Sequence, residues 1–192
     1  MDVTTVAPAD AEAFSAWAHG AGIRYVHSPV IGSLAPARAA ALGVLIGGDH
    51  DAARDARTVV ALWADPNKIR LLDTAAKAAT AKLIANLALA VSMEALVESV
   101  RLGDAGRLTP EEVVSILGIT TIAPIAALKG GTVIDRTFTD TQFSAALLAK
   151  DARLMLATSQ KPLPAVALVA DALDRATAAG DGEQDFSVIA RE

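Results

Sequence analysis

Between Ala78 and Met93 the chain is apolar almost without a break, and two polar side chains of real reach interrupt it, Lys82 and Asn86. At i and i+4 they project from one face of a helix, one turn apart. A lysine in such surroundings must pair with an acid, snorkel its ammonium to water or give up its proton, because an isolated buried ammonium is costly. In the last case it becomes an amine able to exchange a proton, with an amide one turn away. The residues alone leave the structural and chemical alternatives open.

Other residue types offer less. Three histidines, His19, His27 and His50, stand on separate elements at no metal-like spacing, and with no cysteine a metal site is not expected. His50 lies between Asp49 and Asp51, a pattern more typical of a solvated loop than of a base. Ser28 and Ser33 lack the glycines of a nucleophile elbow. Gly20-Ala21-Gly22 lacks a third glycine and opens a strand rather than a helix, so it is no phosphate-binding fingerprint.

The element that must carry Lys82 and Asn86 is a helix from about Leu71 to Arg101. It follows the breaker Asp65-Pro66-Asn67, stops before Gly103 and contains neither proline nor glycine. Before it the chain alternates. Residues 2–5, 23–26 and 44–46 read as strands, and residues 9–19, 36–41 and 51–63 as helices, with 30–33 a loop. After residue 66 only helices are expected: one begun by Thr109-Pro110-Glu111-Glu112, a short one over 123–128 ending at Gly130-Gly131, and longer ones over 141–159 and 162–179. The tail from Asp181 is polar apart from Phe186, Val188 and Ile189. The fold class is α/β followed by all-α, divided at Asp65-Pro66.

A chain of 192 residues can bury a true core. It is 53% hydrophobic but only 4% aromatic, so that core is Ala, Leu, Val and Ile. The net charge of -5 is modest and spread, with no basic run, which sets nucleic acid aside as a partner. Lys82, Asn86 and Glu94 make the long run a poor membrane span, and the acidic start lacks a signal-peptide pattern. A cytoplasmic protein without a membrane partner is expected. Leu83, Leu87, Val91 and Val97 offer apolar surface on which a homodimer is expected.

The order Asp2-Val3-Thr4-Thr5, Ser28-Pro29-Val30-Ile31-Gly32-Ser33, Gly47-Gly48, Lys82-Leu83-Ile84-Ala85-Asn86, then Phe143 and Lys150-Asp151 resembles the β-hydroxyacid dehydrogenases, the family of 3-hydroxyisobutyrate dehydrogenase and tartronate semialdehyde reductase. The resemblance implies a partial Rossmann-like segment over residues 1–66. A helical carboxy-terminal domain like that of 6-phosphogluconate dehydrogenase follows over residues 67–192. Against the family pattern the chain begins late and lacks the part bearing the G-x-G-x-x-G fingerprint, so on its own it is expected to be inactive.

The resemblance further implies NAD or NADP as cofactor and a small β-hydroxy acid or related carbonyl as substrate. By it Lys82 takes the place of the catalytic lysine and Asn86 that of a substrate-positioning asparagine. Thr5 and Lys150 correspond to residues that touch the cofactor, and Ile31, Gly32 and Ser33 to the Ser-Gly-Gly loop that receives the substrate carboxylate. Two departures stand out. Ile31 replaces the serine and Ser33 the second glycine, which suggests a less polar substrate or an altered carboxylate pocket. Ala76-Lys77-Ala78 replaces a Gly-x-Gly before the lysine, closing a backbone approach that glycines leave open. Imine reductases share the architecture but usually replace the lysine. An imine reductase, or a remnant that only dimerises or binds a ligand, are the alternative readings.

Overall fold

The computed structural model describes residues 1–191. They form two compact units, residues 1–85 and residues 86–191. The expected division at Asp65-Pro66 falls inside a strand, and one long helix carries residues of both units.

The amino-terminal unit is organised on β3 (Leu42–Gly48), which is buried along nearly its whole length. Two short strands, β1 (Val26–His27) and β2 (Val30–Ile31), lie end to end along one of its edges, both antiparallel to it. Ser28-Pro29 separates them, and there Leu45 N–H donates to the Pro29 carbonyl at 3.0 Å, so the ladder continues across the proline. Residues 30–33, expected as a loop, thus begin with a strand. The expected strand over residues 2–5 is reduced to a single parallel bridge between Asp2 and His27. Two short helices complete this part, α1 (Pro8–Gly20) and α2 (Leu34–Arg38).

The other edge of β3 is paired in parallel with β4 (Ala64–Leu72), reached through helix α3 (His50–Val60). No strand was expected after residue 66. The register explains why: Leu42 faces Ala64, yet Val44 faces Ile69, so residues 65–68 bulge out of the ladder. Pro66, which has no N–H to donate, sits in that bulge. Asn67 N–H turns back to Asp65 Oδ1 at 2.9 Å, and the strand resumes at Ile69. The breaker signal was local and did not end the strand. Val26, Val44, Ile46, Ala52, Ala53, Val60 and Ala64 form the core on the α3 side.

Helix α4 (Ala75–Ala105) is 31 residues long, begins later than expected and runs through Gly103. A Cβ on Gly103 would stand 2.3 Å from Val113 Cγ2, so this glycine admits a close neighbour and does not stop the helix. By length and composition α4 could cross a membrane. Here its Ala90, Met93, Leu96 and Val97 belong to the core of the carboxy-terminal unit. Of the four residues expected to leave an open apolar face, Leu83 and Val97 are buried within the chain, whereas Leu87 and Val91 are half-buried.

Around that core stand α5 (Pro110–Leu117), α6 (Ala123–Asp135), α7 (Ala145–Thr158) and α8 (Pro164–Ala176). Thr109 closes a capping box with Glu112, as its sequence requires. The α6 helix passes through Gly130-Gly131, where a stop was expected. The tail is no polar appendage: residues 186–191 form a 3-10 helix whose Phe186, Val188 and Ile189 are buried in the core.

Candidate active site

In the amino-terminal unit, Gly47 of β3 fixes the start of α4. A Cβ there would fall 2.2 Å from the Thr74 carbonyl oxygen and 2.7 Å from Ala78 Cβ, so the helix lies directly on the strand. Lys82 follows Ala78 by one turn on the same face and is half-buried. The alanines expected to close the backbone approach are half-buried at Ala76 and fully buried at Ala78.

Thr5 is half-buried, at the end of a segment held by its own side chains. Asp2 Oδ1 accepts the Thr4 N–H at 2.9 Å and the Thr4 hydroxyl at 2.7 Å. Its other oxygen accepts the Tyr25 hydroxyl at 2.9 Å and lies 3.6 Å from Nδ1 of the fully buried His27. Burial pushes the His27 imidazole below its ordinary pKa, with Asp2 opposing the shift. Burial raises the Asp2 carboxyl too, but the hydrogen bonds from Thr4 and Tyr25 more than offset it and leave it below the usual carboxylate value.

The loop of Ile31, Gly32 and Ser33 turns sharply at Gly32, whose φ of 119° belongs to glycine. A Cβ there would also meet Leu42 Cδ2 at 2.9 Å. Ile31 is 40% exposed, an apolar side chain left in water. Ser33 is the residue before α2, and its hydroxyl oxygen accepts the Leu34 N–H at 2.6 Å.

In the carboxy-terminal unit Asn86 is buried, and its Nδ2 donates to Asp151 Oδ2 at 2.6 Å. Lys150 Nζ stands 2.8 Å from the other oxygen of that carboxylate. Asn86 and Lys150, singled out separately in the sequence, therefore meet through Asp151. A signal for it lay in the helical spacing: Leu148, Asp151, Ala152 and Met155 share one stripe of α7, so a carboxylate stands on a core face. Phe143 packs edge-on against Phe186, with ring centroids 6.1 Å apart. A groove of about 270 Å³ in the same unit, lined by Val97, Arg101, Asp104, Leu108 and Arg136, contains none of these residues.

A small four-stranded sheet followed by an all-helical unit matches the Rossmann-like domain and helical carboxy-terminal domain of 3-hydroxyisobutyrate dehydrogenase-type proteins. Residues 76–192 match the family described as NAD-binding of NADP-dependent 3-hydroxyisobutyrate dehydrogenase, and residues 1–71 match the NAD binding domain of 6-phosphogluconate dehydrogenase. The chain belongs to the β-hydroxyacid dehydrogenase family. Among solved structures, a 3-hydroxyisobutyrate dehydrogenase of Mycobacterium tuberculosis with L-serine is 27% identical, with a TM-score of 0.85 over 99% of this chain and 68% of its own. One from Salmonella typhimurium is 21% identical, with a TM-score of 0.88 over 98% of this chain and 67% of its own. An imine reductase variant of Myxococcus stipitatus in complex with NAD+ shares the fold at 16% identity and a TM-score of 0.58, over 99% of this chain and 69% of its own. No curated protein sequence matches.

NAD(P) is the cofactor of this family. Thr5 is half-buried and the Lys150 side chain is 40% exposed. The G-x-G-x-x-G fingerprint that cradles a pyrophosphate does not occur in the sequence. Gly20 and Gly22 instead close α1.

Proposed function

We propose that this chain carries the acid/base half of an NAD(P)-dependent oxidoreductase that interconverts a small β-hydroxy acid and its carbonyl counterpart. The observation that carries the reading is the spacing of Lys82 and Asn86 on α4, with the Asn86 amide anchored by a buried carboxylate. NAD(P), when bound, takes or gives the hydride. In the oxidative direction the substrate hydroxyl proton passes to Lys82 as a neutral amine; in the reductive direction its ammonium returns the proton to the carbonyl oxygen. Asn86 holds the reacting group. Gly32 shapes the loop that receives the substrate's carboxylate, and the apolar Ile31 and displaced hydroxyl of Ser33 favour a substrate less polar beside that carboxylate. Thr5 and Lys150 touch the nucleotide.

The chain brings no phosphate cradle of its own. We therefore expect these 192 residues to bind NAD(P)H weakly, and micromolar affinity in a fluorescence titration would overturn that. Turnover tests the reaction. With the fingerprint-bearing segment of a related dehydrogenase fused to the chain, NAD(P)H oxidation with a panel of short semialdehydes, with cyclic imines as the contrasting arm, should favour the semialdehydes and be lost in Lys82→Ala. Preference for imines would move the reading to imine reduction, and undiminished turnover in Lys82→Ala would end it.

The exposed or half-exposed Ile84, Leu87, Ala88 and Val91 form an apolar strip on α4. A second copy of the chain covers it in our reading. A monomer in sedimentation at micromolar concentration would exclude this.

A further inference from the structure

We propose that Asp151 is a positioning residue whose single carboxylate orients Asn86 and holds Lys150, and so couples contact with the nucleotide to orientation of the substrate. This rests on the roles of Asn86 and Lys150 in the proposed function. Asp151 is 1% exposed, on the same stripe of α7 as the buried Leu148, Ala152 and Met155. A carboxylate among such neighbours is costly unless each oxygen finds a partner. Both do. Oδ2 accepts Asn86 Nδ2 at 2.6 Å, and Oδ1 lies 2.8 Å from Lys150 Nζ, in a charge contact that is not aligned as a hydrogen bond.

The chemistry of the carboxylate makes this an orienting contact. An ionised aspartate only accepts, whereas an asparagine amide has a donor end and an acceptor end of nearly the same shape. Facing Asp151, Asn86 must turn its Nδ2 inward and its Oδ1 the other way. An amide at position 151 would allow either orientation. Lys150 and Asp151 are adjacent in sequence yet differ in exposure: the lysine reaches outward, and the carboxylate behind it limits where its ammonium sits.

The test combines Asp151→Asn, which keeps the shape and removes the charge, with Asn86→Ala, Lys150→Ala and the two double variants, the kinetics being read with the chain fused to the fingerprint-bearing segment of a related dehydrogenase. With 3-hydroxyisobutyrate and NAD(P)+ as probes, Asp151→Asn should raise KM for each by about tenfold, the scale of one charge-assisted hydrogen bond, while kcat changes little. Asn86→Ala/Asp151→Asn should have no higher substrate KM than Asn86→Ala, and Lys150→Ala/Asp151→Asn no higher cofactor KM than Lys150→Ala. Additive losses, or a fall in kcat and melting temperature with both KM values unchanged, would reduce Asp151 to a structural residue. A readout independent of turnover is the NMR signal of the Asn86 side-chain amide, assigned by its loss in Asn86→Ala. It should shift in Asp151→Asn, and an unmoved signal overturns the proposal. If the chain fused to the fingerprint-bearing segment of a related dehydrogenase turns over no substrate, the proposed function fails, and the amide signal of the native chain still decides whether Asp151 orients Asn86.

Discussion

Lys129 Nζ lies 2.8 Å from Asp185 Oδ2, and the two side chains are 4% and 1% exposed. The carboxylate also accepts the Ser187 hydroxyl at 2.6 Å, and the N–H groups of Ser187 and Gln142 at 3.1 Å each. The ammonium stands 4.8 Å from the centre of the Phe186 ring. This buried cluster ties the 3-10 tail to α6 and explains why a segment that reads as polar closes the helical core.

Removing one partner should therefore cost far more than removing both. Lys129→Met leaves a carboxylate buried without its cation and should destabilise the carboxy-terminal unit by about 3–5 kcal/mol, whereas Lys129→Met/Asp185→Leu should recover most of that. Burial raises the Asp185 carboxyl, but Lys129, Ser187 and Gln142 together outweigh it and hold it below its ordinary value. Its contribution is thus complete above the unfolded carboxylate value of about 3.9 and lost as pH falls through the lower folded value. Urea denaturation from pH 2 to 6 should show a flatter acid limb for the double variant; parallel limbs would refute the assignment.

Adjacent glycines in α6 should behave oppositely. A Cβ on Gly130 would stand 2.6 Å from Val114 Cγ1, so Gly130→Ala overpacks the contact of α6 with α5 and should cost about 1–3 kcal/mol. Val114→Ala should relieve part of that. Around Gly131 there is open space, and Gly131→Ala should stabilise by up to about 1 kcal/mol through helix propensity alone. Thermal melts of the three variants check both signs.

That pair also shows what the sequence could convey. Local chemistry was legible: the Thr109 capping box, a long helix free of proline, and the i, i+4 spacing of Lys82 and Asn86 all depend on neighbours in the chain. A glycine pair in a helix pattern resembles a stop until Val114 is seen beside it. Likewise Asp65-Pro66-Asn67 resembles an end until the bulge opposite Leu42–Val44 absorbs it. At the site, Asn86 was visible from its own helix, but its partner Asp151 lies 65 positions away. Such pairings are set by tertiary packing, which overrides local punctuation.

His27 should make the amino-terminal unit sensitive to mild acid. It is fully buried, its Nδ1 lies 3.3 Å from the Tyr25 hydroxyl oxygen, and its Nε2 has no hydrogen-bond partner. Burial lowers its pKa in the folded state, so the unfolded chain binds the proton more readily. Stability is then complete above the unfolded histidine value of about 6.5 and declines as pH falls towards the lower folded value. Asp2 titrates in a separate, more acidic range, since its own pKa is lowered. His27→Gln should flatten the slope of stability as pH falls below about 6.5. An unchanged slope would show that His27 is not its source.

Lys82 separates the catalytic reading from a structural one. With the nucleotide domain restored, loss of this general acid/base in Lys82→Ala should lower turnover by at least about a hundredfold and leave cofactor affinity nearly unchanged. Lys82→Arg should be almost as poor, because a guanidinium stays protonated near neutral pH and cannot exchange the proton. Asn86→Ala should act mainly on substrate KM, as befits a group that orients without exchanging a proton. A lysine that merely snorkels from half-buried α4 forecasts otherwise: Lys82→Ala would be neutral or stabilising and fully active. Steady-state kinetics on the three variants, each with a melting curve, distinguish the cases. Full activity in Lys82→Arg would already exclude proton exchange at this position.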